Sequence, residues 1–423
     1  MHHFSYRNGV LHAEDVSIAD IASAVGTPFY CYSTATLQRH YAVLSDAFAG
    51  DNALICFAVK ANSNQAVLRT LADLGAGMDV VSVGELKRAR SAGVSADKII
   101  FAGVGKTREE MAYALNEGIL GFNVESAAEL HALSEVAAGL GTSAKVALRV
   151  NPDVDAKTHA KISTGKAENK FGIPFETARE TYAVAAKLPG IEVSGIHMHI
   201  GSQITILDPF RDAFRRLAEL ASALRDDGHQ LKHLDLGGGL GVPYEYTNDI
   251  PPHPTEYAAV VRESLGHLGL KYVFEPGRMI AANAGIFVTK VVFSKSGGDR
   301  TFTIIDGAMN DLIRPTLYEA YHDIWPVAER QKSAQTTLQD VVGPVCETGD
   351  FLAEKRMLPQ FSEGDLMAVM SAGAYGAVMS STYNTRALVP EVLVKGDAFA
   401  VVRPRLDVDD IIAMDQLAPW MTS

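Results

Sequence analysis

Cysteine is scarce in this 423-residue chain: Cys31, Cys56 and Cys346 are the only three. They are too few and too dispersed for a disulfide framework, and none forms the CxxC spacing of a zinc site, so reduced thiols are expected. Cys31 and Cys56 lie in apolar runs and read as small core residues. Positive charge is also short, with 38 basic against 50 acidic side chains and a formal net charge of -12. Such a chain has no basic stripe with which to neutralise a phosphate backbone, so nucleic acid is not an expected partner. No stretch approaches 18 uncharged apolar residues, and the opening MHHFSYRNGV lacks a charged region followed by an apolar core. A cytoplasmic protein without a membrane partner is therefore expected. Tandem repeats and low-complexity segments are lacking too.

What the chain has is length and apolar content, 47% hydrophobic residues, enough for a large core and more than one domain. Short apolar runs predict strands at 54–59, 78–82, 99–103, 121–125, 145–151, 193–202, 233–239 and 272–277. Between them lie segments with helical spacing, such as QAVLRTLADLG and DAFRRLAELASALRDDG. Eight near-continuous apolar strands alternating with amphipathic helices predict an α/β fold, a TIM-like (β/α)8 barrel with its chemistry at the C-terminal strand ends. After about residue 280 the runs GIFVTKVVFS, RTFTIIDGA, DVVGPVCE, DLMAVMSAG and EVLVKGDAFAVV predict an all-β domain, the last run with a Gly-Asp hairpin. A hairpin around Asn8-Gly9 is expected to join that domain. The predicted boundaries are thus 1–30 for the joining strands, 31–280 for the barrel and 281–423 for the β domain.

Four strand ends carry chemistry. Lys60 directly follows the first apolar run, where burial would lower its pKa and free the amine as a nucleophile. Taken alone, it does not distinguish a structural lysine from one that carries a cofactor. The seventh strand ends in LDLGGGLG, whose consecutive glycines let backbone N–H groups approach an anion; a tight turn is the alternative. Ser202 in HIGS can add a hydroxyl to the same phosphate. The eighth ends in FEPGR, which sets Glu275 and Arg278 side by side, either as an internal ion pair or with the carboxylate on a protonated pyridine nitrogen. His197 and His199 alternate on the sixth strand, a pattern that also serves metal sites. The other strand ends lack further histidine ligands, so no metal is expected; His199 is read as stacking on a flat ring and His197 as a satisfied core histidine.

Lys60, HIGS, GGGLG and EPGR, in that order, resemble the fold-type III pyridoxal-phosphate-dependent decarboxylases. RVNPDVDAKTHAKISTGKAENKFGI, LIRPTLY, CETGDFLA and MSAGAYGAVMSSTYNTR resemble, more narrowly, the diaminopimelate decarboxylase family over nearly the whole chain. The resemblance implies pyridoxal 5'-phosphate as cofactor and decarboxylation of meso-2,6-diaminopimelate to L-lysine and CO2, the last step of lysine biosynthesis. It implies that Lys60 holds the cofactor covalently, that His199 stacks on its ring and that Glu275 meets the ring nitrogen. Ser202, Gly238, Gly239 and Arg278, within the Glu275-Pro276-Gly277-Arg278 turn, would hold the phosphate with Tyr375, while Asp79 and Arg149 line the cofactor side. Arg314, Tyr318, Arg278 and Tyr375 would bind the substrate, whose distal ammonium falls to Glu347. Cys346 would protonate the substrate carbon and, with Glu347, would come from the partner subunit of a homodimer. The remaining readings are a decarboxylase for ornithine, arginine, lysine or a carboxylated polyamine, a non-catalytic pyridoxal-phosphate carrier, and a metal hydrolase.

Overall fold

The structure, a computed structural model, describes residues 2–156, 170–245, 250–331 and 333–421. The part of the predicted KTHAKISTGKAENK motif at 157–169 lies outside them. The chain divides into two compact units, Gln38–Ile280 and a second assembled from Met1–Leu37 with Ala281–Ser423.

The first unit is built from eight parallel strands: Ala53–Ala58, Gly77–Val80, Ile99–Phe101, Gly121–Val124, Ala144–Asn151, Ile191–His197, His233–Asp235 and Lys271–Phe274. Each pairs with its sequence neighbour, the eighth with the first and the fifth with the fourth, so the sheet closes into a barrel. Closure leaves no edge strand, apart from the short Ile173–Pro174 that pairs outside on the fifth. Because helices cover the outside and side chains fill the inside, the strands are buried on both faces, which is why they read as apolar runs. Helix Asp208–Asp226 shows the covering pattern: Phe210, Phe214, Leu217, Leu220 and Leu224 are buried on one stripe while charged residues take the other. Serine and threonine caps start several of these helices. Ser82, Thr107 and Ser126 each accept from the backbone N–H three residues on.

The second unit is mostly sheet. Strand Phe29–Ser33 lies between Gly285–Gly297, which it pairs antiparallel, and Glu391–Lys395, which it pairs parallel. The first unit accordingly begins at Gln38, seven residues after the position predicted for the barrel, because this strand, entirely buried, extends the β sheet instead of opening a βα unit. The hairpin Phe4–Arg7/Val10–Ala13 turns at Asn8 and Gly9, both with positive φ. It joins the same unit, where the Leu11 N–H donates to the Val327 carbonyl. Glu391–Lys395 and Ala398–Arg403 form the hairpin expected at Gly396-Asp397.

Candidate active site

Lys60 sits in a single turn, Val59–Ala61, immediately beyond the first barrel strand. Its Nζ lies 3.0 Å from Oδ2 of Asp79, which the second strand carries into the fully buried interior. The side chain of Lys60 is itself 42% exposed, so the burial expected from its apolar run is absent. The strand ends at Ala58, and the turn lifts the amine out of the barrel wall, above a buried carboxylate. Burial and Glu275 push the Asp79 carboxyl up against the pull of Lys60, and its second oxygen has no hydrogen-bond partner among the described residues.

The glycine run after the seventh strand cannot take side chains. A Cβ on Gly237 would lie 2.6 Å from the Met198 carbonyl oxygen, one on Gly238 2.4 Å from that of Glu275, and one on Gly239 2.7 Å from that of Gly201. Gly237 and Gly239 also have φ of 62° and 117°. Beside this run, Arg278 donates from Nε and Nη2 to the Ser202 hydroxyl at 3.2 and 3.0 Å, and from Nη1 to the Tyr244 hydroxyl at 2.6 Å. A guanidinium, a serine hydroxyl and a backbone open to close approach are groups that could hold an anion.

Glu275 follows the eighth strand and points inward. Its Oε1 accepts from Asn123 Nδ2 at 2.9 Å, and its Oε2 lies 3.3 Å from His197 Nε2. The same Asn123 amide donates to Asp235 Oδ2 at 2.9 Å, while Asp235 Oδ1 accepts from the Gly237 N–H at 3.0 Å. The two buried carboxyls therefore share one amide. Burial opposes the charge on both, but His197 and then Lys60 hold Glu275 well below the usual carboxylate range. Burial and then the charge of Glu275 push Asp235 well above it. Glu275 is the anion of the pair, and Asp235 is driven toward its neutral acid.

His197, expected as a satisfied core histidine, is buried without hydrogen-bond geometry at either ring nitrogen among the described residues. It faces Glu275 instead. His197, Asp235 and Glu275 form a group whose donor atoms lie within 4.8 Å of one another. The Asn123 amide donates to both carboxyls and ties the cluster into a hydrogen-bond network. His199 accepts from the Gly238 N–H at Nδ1, 3.2 Å away. Burial, with Arg149 and Lys60, holds its pKa well below the ordinary imidazole value, so it presents a neutral ring. Arg149, on the fifth strand, pairs at 2.9 Å with Glu125, whose other oxygen takes the Gly172 N–H. Pro276 and Gly277 act through their backbone: the Pro276 carbonyl accepts from the Ala58 N–H and ties the end of the eighth strand to the first.

The remaining expected residues belong to the β unit. Arg314 opens the short helix Arg314–Tyr318 and is buried; Tyr318 ends that helix and is partly exposed. The Thr316 hydroxyl donates to the Gly349 carbonyl at 2.6 Å, which ties RPTLY to the CETGD loop. Cys346 is exposed in that loop, because the strand expected through DVVGPVCE stops at Val342. Asp350 shapes the loop by accepting from the Met309 and Val345 N–H groups. The Glu347 carboxylate is hydrogen-bonded to Tyr383. Tyr375 has a φ of 55° within MSAGAYG.

The barrel residues meet the separate demands of pyridoxal phosphate: an amine, an anion cradle, a flat neutral ring and a buried carboxylate that stays ionised beside a pyridinium. Comparison with known proteins bears on the same point. Residues 34–282 match the family model "Pyridoxal-dependent decarboxylase, pyridoxal binding domain". Diaminopimelate decarboxylase of Vibrio cholerae is 52% identical over 421 residues, spanning 99% of this chain and 100% of that one. The chain belongs to the diaminopimelate decarboxylase family. Its solved relatives include the Helicobacter pylori enzyme complexed with L-lysine, with a TM-score of 0.90 and 39% identity over 94% of this chain and 98% of that one. The M. jannaschii enzyme in co-complex with L-lysine has a TM-score of 0.93 and 34% identity over 99% and 98%. Membership makes this chain a pyridoxal-phosphate-dependent carboxy-lyase of barrel-plus-sheet fold. Among the described residues no helix is long and apolar enough to cross a membrane.

Asn123, Glu125, Asp235 and Tyr244 escaped the sequence reading. Asp235 stands two residues before the glycine run and Glu125 ends the fourth predicted strand, so a search for every polar residue at a strand end would have found both. Tyr244 lies in a loop and left no such signal.

Proposed function

We infer that this chain decarboxylates meso-2,6-diaminopimelate to L-lysine and CO2, the last step of lysine biosynthesis. The observation that carries the reading is the set of cofactor-shaped demands met at one barrel mouth, in a chain about half identical to diaminopimelate decarboxylases over its full length. When bound, pyridoxal phosphate supplies an electron sink for the pair left behind by CO2.

The side chains have the following roles in this reading. Lys60 would hold the cofactor through its amine, beside the Asp79 carboxylate, and Arg149 would line the same side. Ser202, Gly238, Gly239 and Arg278 hold the phosphate, joined by Tyr244 and Tyr375. Glu275 would pair with the protonated ring nitrogen, and the neutral His199 ring would stack on the cofactor. Only one end of the substrate loses its carboxylate, so the other end must be gripped. Arg314, with Tyr318, Arg278 and Tyr375, takes the distal carboxylate, for which a guanidinium fork is suited, and Glu347 takes the distal ammonium. Cys346 delivers the proton to the substrate carbon. Cys346 and Glu347 act across a two-fold interface in a homodimer, and the enzyme works in the cytoplasm.

The test measures CO2 release from meso-2,6-diaminopimelate beside ornithine, arginine and lysine. Turnover confined to the first supports the assignment, and equal or faster turnover of any other overturns it. Borohydride reduction of the holoenzyme should attach the cofactor to the wild-type chain and leave Lys60→Ala unlabelled; labelling of that variant overturns the role of Lys60.

A further inference from the structure

His322 is fully buried in the β unit, between two groups that together fix its chemical state. Its Nδ1 lies 2.8 Å from the Met370 carbonyl oxygen, and its Nε2 lies 3.2 Å from Arg314 Nη1. A carbonyl oxygen only accepts, so Nδ1 carries the hydrogen; a guanidinium only donates, so Nε2 offers its lone pair. The ring is therefore the neutral Nδ1–H tautomer. Its place follows from the sheet. Strand Ile324–Pro326 pairs antiparallel with Leu366–Val369, and the Met370 N–H donates to the Asp323 carbonyl, which brings His322 against Met370. The chain then runs through MSAGAYG to Tyr375. Arg356 fastens the other side, donating to the His322 carbonyl at 3.2 Å and lying over the Tyr321 ring.

We propose that His322 is a positioning residue for substrate selection: through its Nε2 acceptor it sets the rotation of the Arg314 guanidinium that receives the distal carboxylate. The inference rests on the reading of Arg314 given above. A guanidinium presents five donors in a rigid fork, and holding one of them leaves the others aimed in a fixed direction. Without the acceptor, a buried arginine keeps its charge but loses one of the contacts that set its aim.

The test compares wild-type, His322→Leu, His322→Gln, His322→Asn and Arg314→Leu holoenzymes. It reads KM and kcat for meso-2,6-diaminopimelate, and inhibition by L-lysine, which keeps the carboxylate, and by 1,5-diaminopentane, which lacks it. His322→Leu should raise KM and the L-lysine inhibition constant about tenfold, as expected for loss of a charge-assisted hydrogen bond, with kcat and diaminopentane inhibition unchanged. Glutamine can offer an acceptor where Nε2 stood, so His322→Gln should restore most of the affinity. Asparagine reaches only the Met370 side, so His322→Asn should behave as leucine does, and this pair decides the matter if the leucine variant does not fold. The Arg314→Leu/His322→Leu double variant should lose no more than Arg314→Leu alone. Equal weakening of both inhibitors, additive losses, or a glutamine variant as poor as leucine would overturn the proposal. If Arg314→Leu leaves KM unchanged, the reading of Arg314 fails as well; if only Arg314→Leu raises it, the His322 inference alone falls.

Discussion

Asn123 donates one hydrogen to each of two buried carboxyls, of which Glu275 is held below the usual carboxylate range while burial and the charge of Glu275 push Asp235 above it. Each buried polar group left unpaired costs about 1–3 kcal/mol, so Asn123→Leu should lower the thermal midpoint and shift the visible absorbance of bound cofactor. Spectra and melting curves of the holoenzyme check both. Glu275→Gln keeps the shape of the side chain and removes its charge. Since the carboxylate acts where charge develops, kcat should fall on the order of 100-fold with little change in KM, as read by steady-state CO2 release. Lys60 adds a general point: the residue was recognisable, but its environment was not. An apolar run predicts a buried strand and says nothing of the turn that exposes the residue after it.

At the scale of elements, the glycine turn and the seventh strand separate function from stability along one short segment. Gly238→Ala drives a methyl group into the Glu275 carbonyl, so cofactor affinity should fall at least about tenfold, checked by titrating the apoenzyme with pyridoxal phosphate. At the opposite end of this strand, His233 stands opposite Lys271 and packs its ring on Gly195. Burial and then Lys271 lower its pKa to about 4. Above pH 6.5 both folded and unfolded chains carry it neutral, and its contribution is complete. As the pH falls from there toward 4, the unfolded chain binds a proton that the fold refuses, and stability of roughly 3 kcal/mol is lost. Melting curves should show that loss between those values and a smaller one in His233→Leu.

The barrel was legible in sequence because strands covered on both faces have no choice but to be apolar. The β domain was less so. Strand Phe351–Pro359 reads FLAEKRMLP, with Glu354 and Lys355 exposed mid-strand where the register shifts and Lys355 takes a φ of 50°, and such an irregularity conceals the alternating pattern. Phe29–Ser33 is a short, fully buried run like those of the barrel, so composition could not say which sheet it joins. The metal alternative raised by His197 and His199 could not be settled by spacing. The network that joins the two carboxyls depends on Asn123, whose single polar side chain in a four-residue strand signals nothing until the strands close around it.

At the scale of the whole molecule, the homodimer proposed here has a quantitative consequence. If Cys346 serves the neighbouring subunit's Lys60, mixing Lys60→Ala with Cys346→Ala chains should restore about a quarter of wild-type activity, since half of randomly formed dimers are hybrids with one intact site of two. Assay after dissociation and remixing checks this, and no recovery would mean that both residues act within one chain. The β unit carries another consequence, for synthesis. Phe29–Ser33 takes its neighbours from Gly285–Gly297 and Glu391–Lys395, both beyond the entire barrel. On the ribosome, at about 5–20 residues per second, that strand emerges and then waits some tens of seconds with its edges unpaired. Nascent chains arrested with residues up to about 280 outside the ribosome should therefore hold a protease-resistant barrel behind an N-terminal segment that is still cleaved, and chaperones that shield unpaired strands should find their earliest target there.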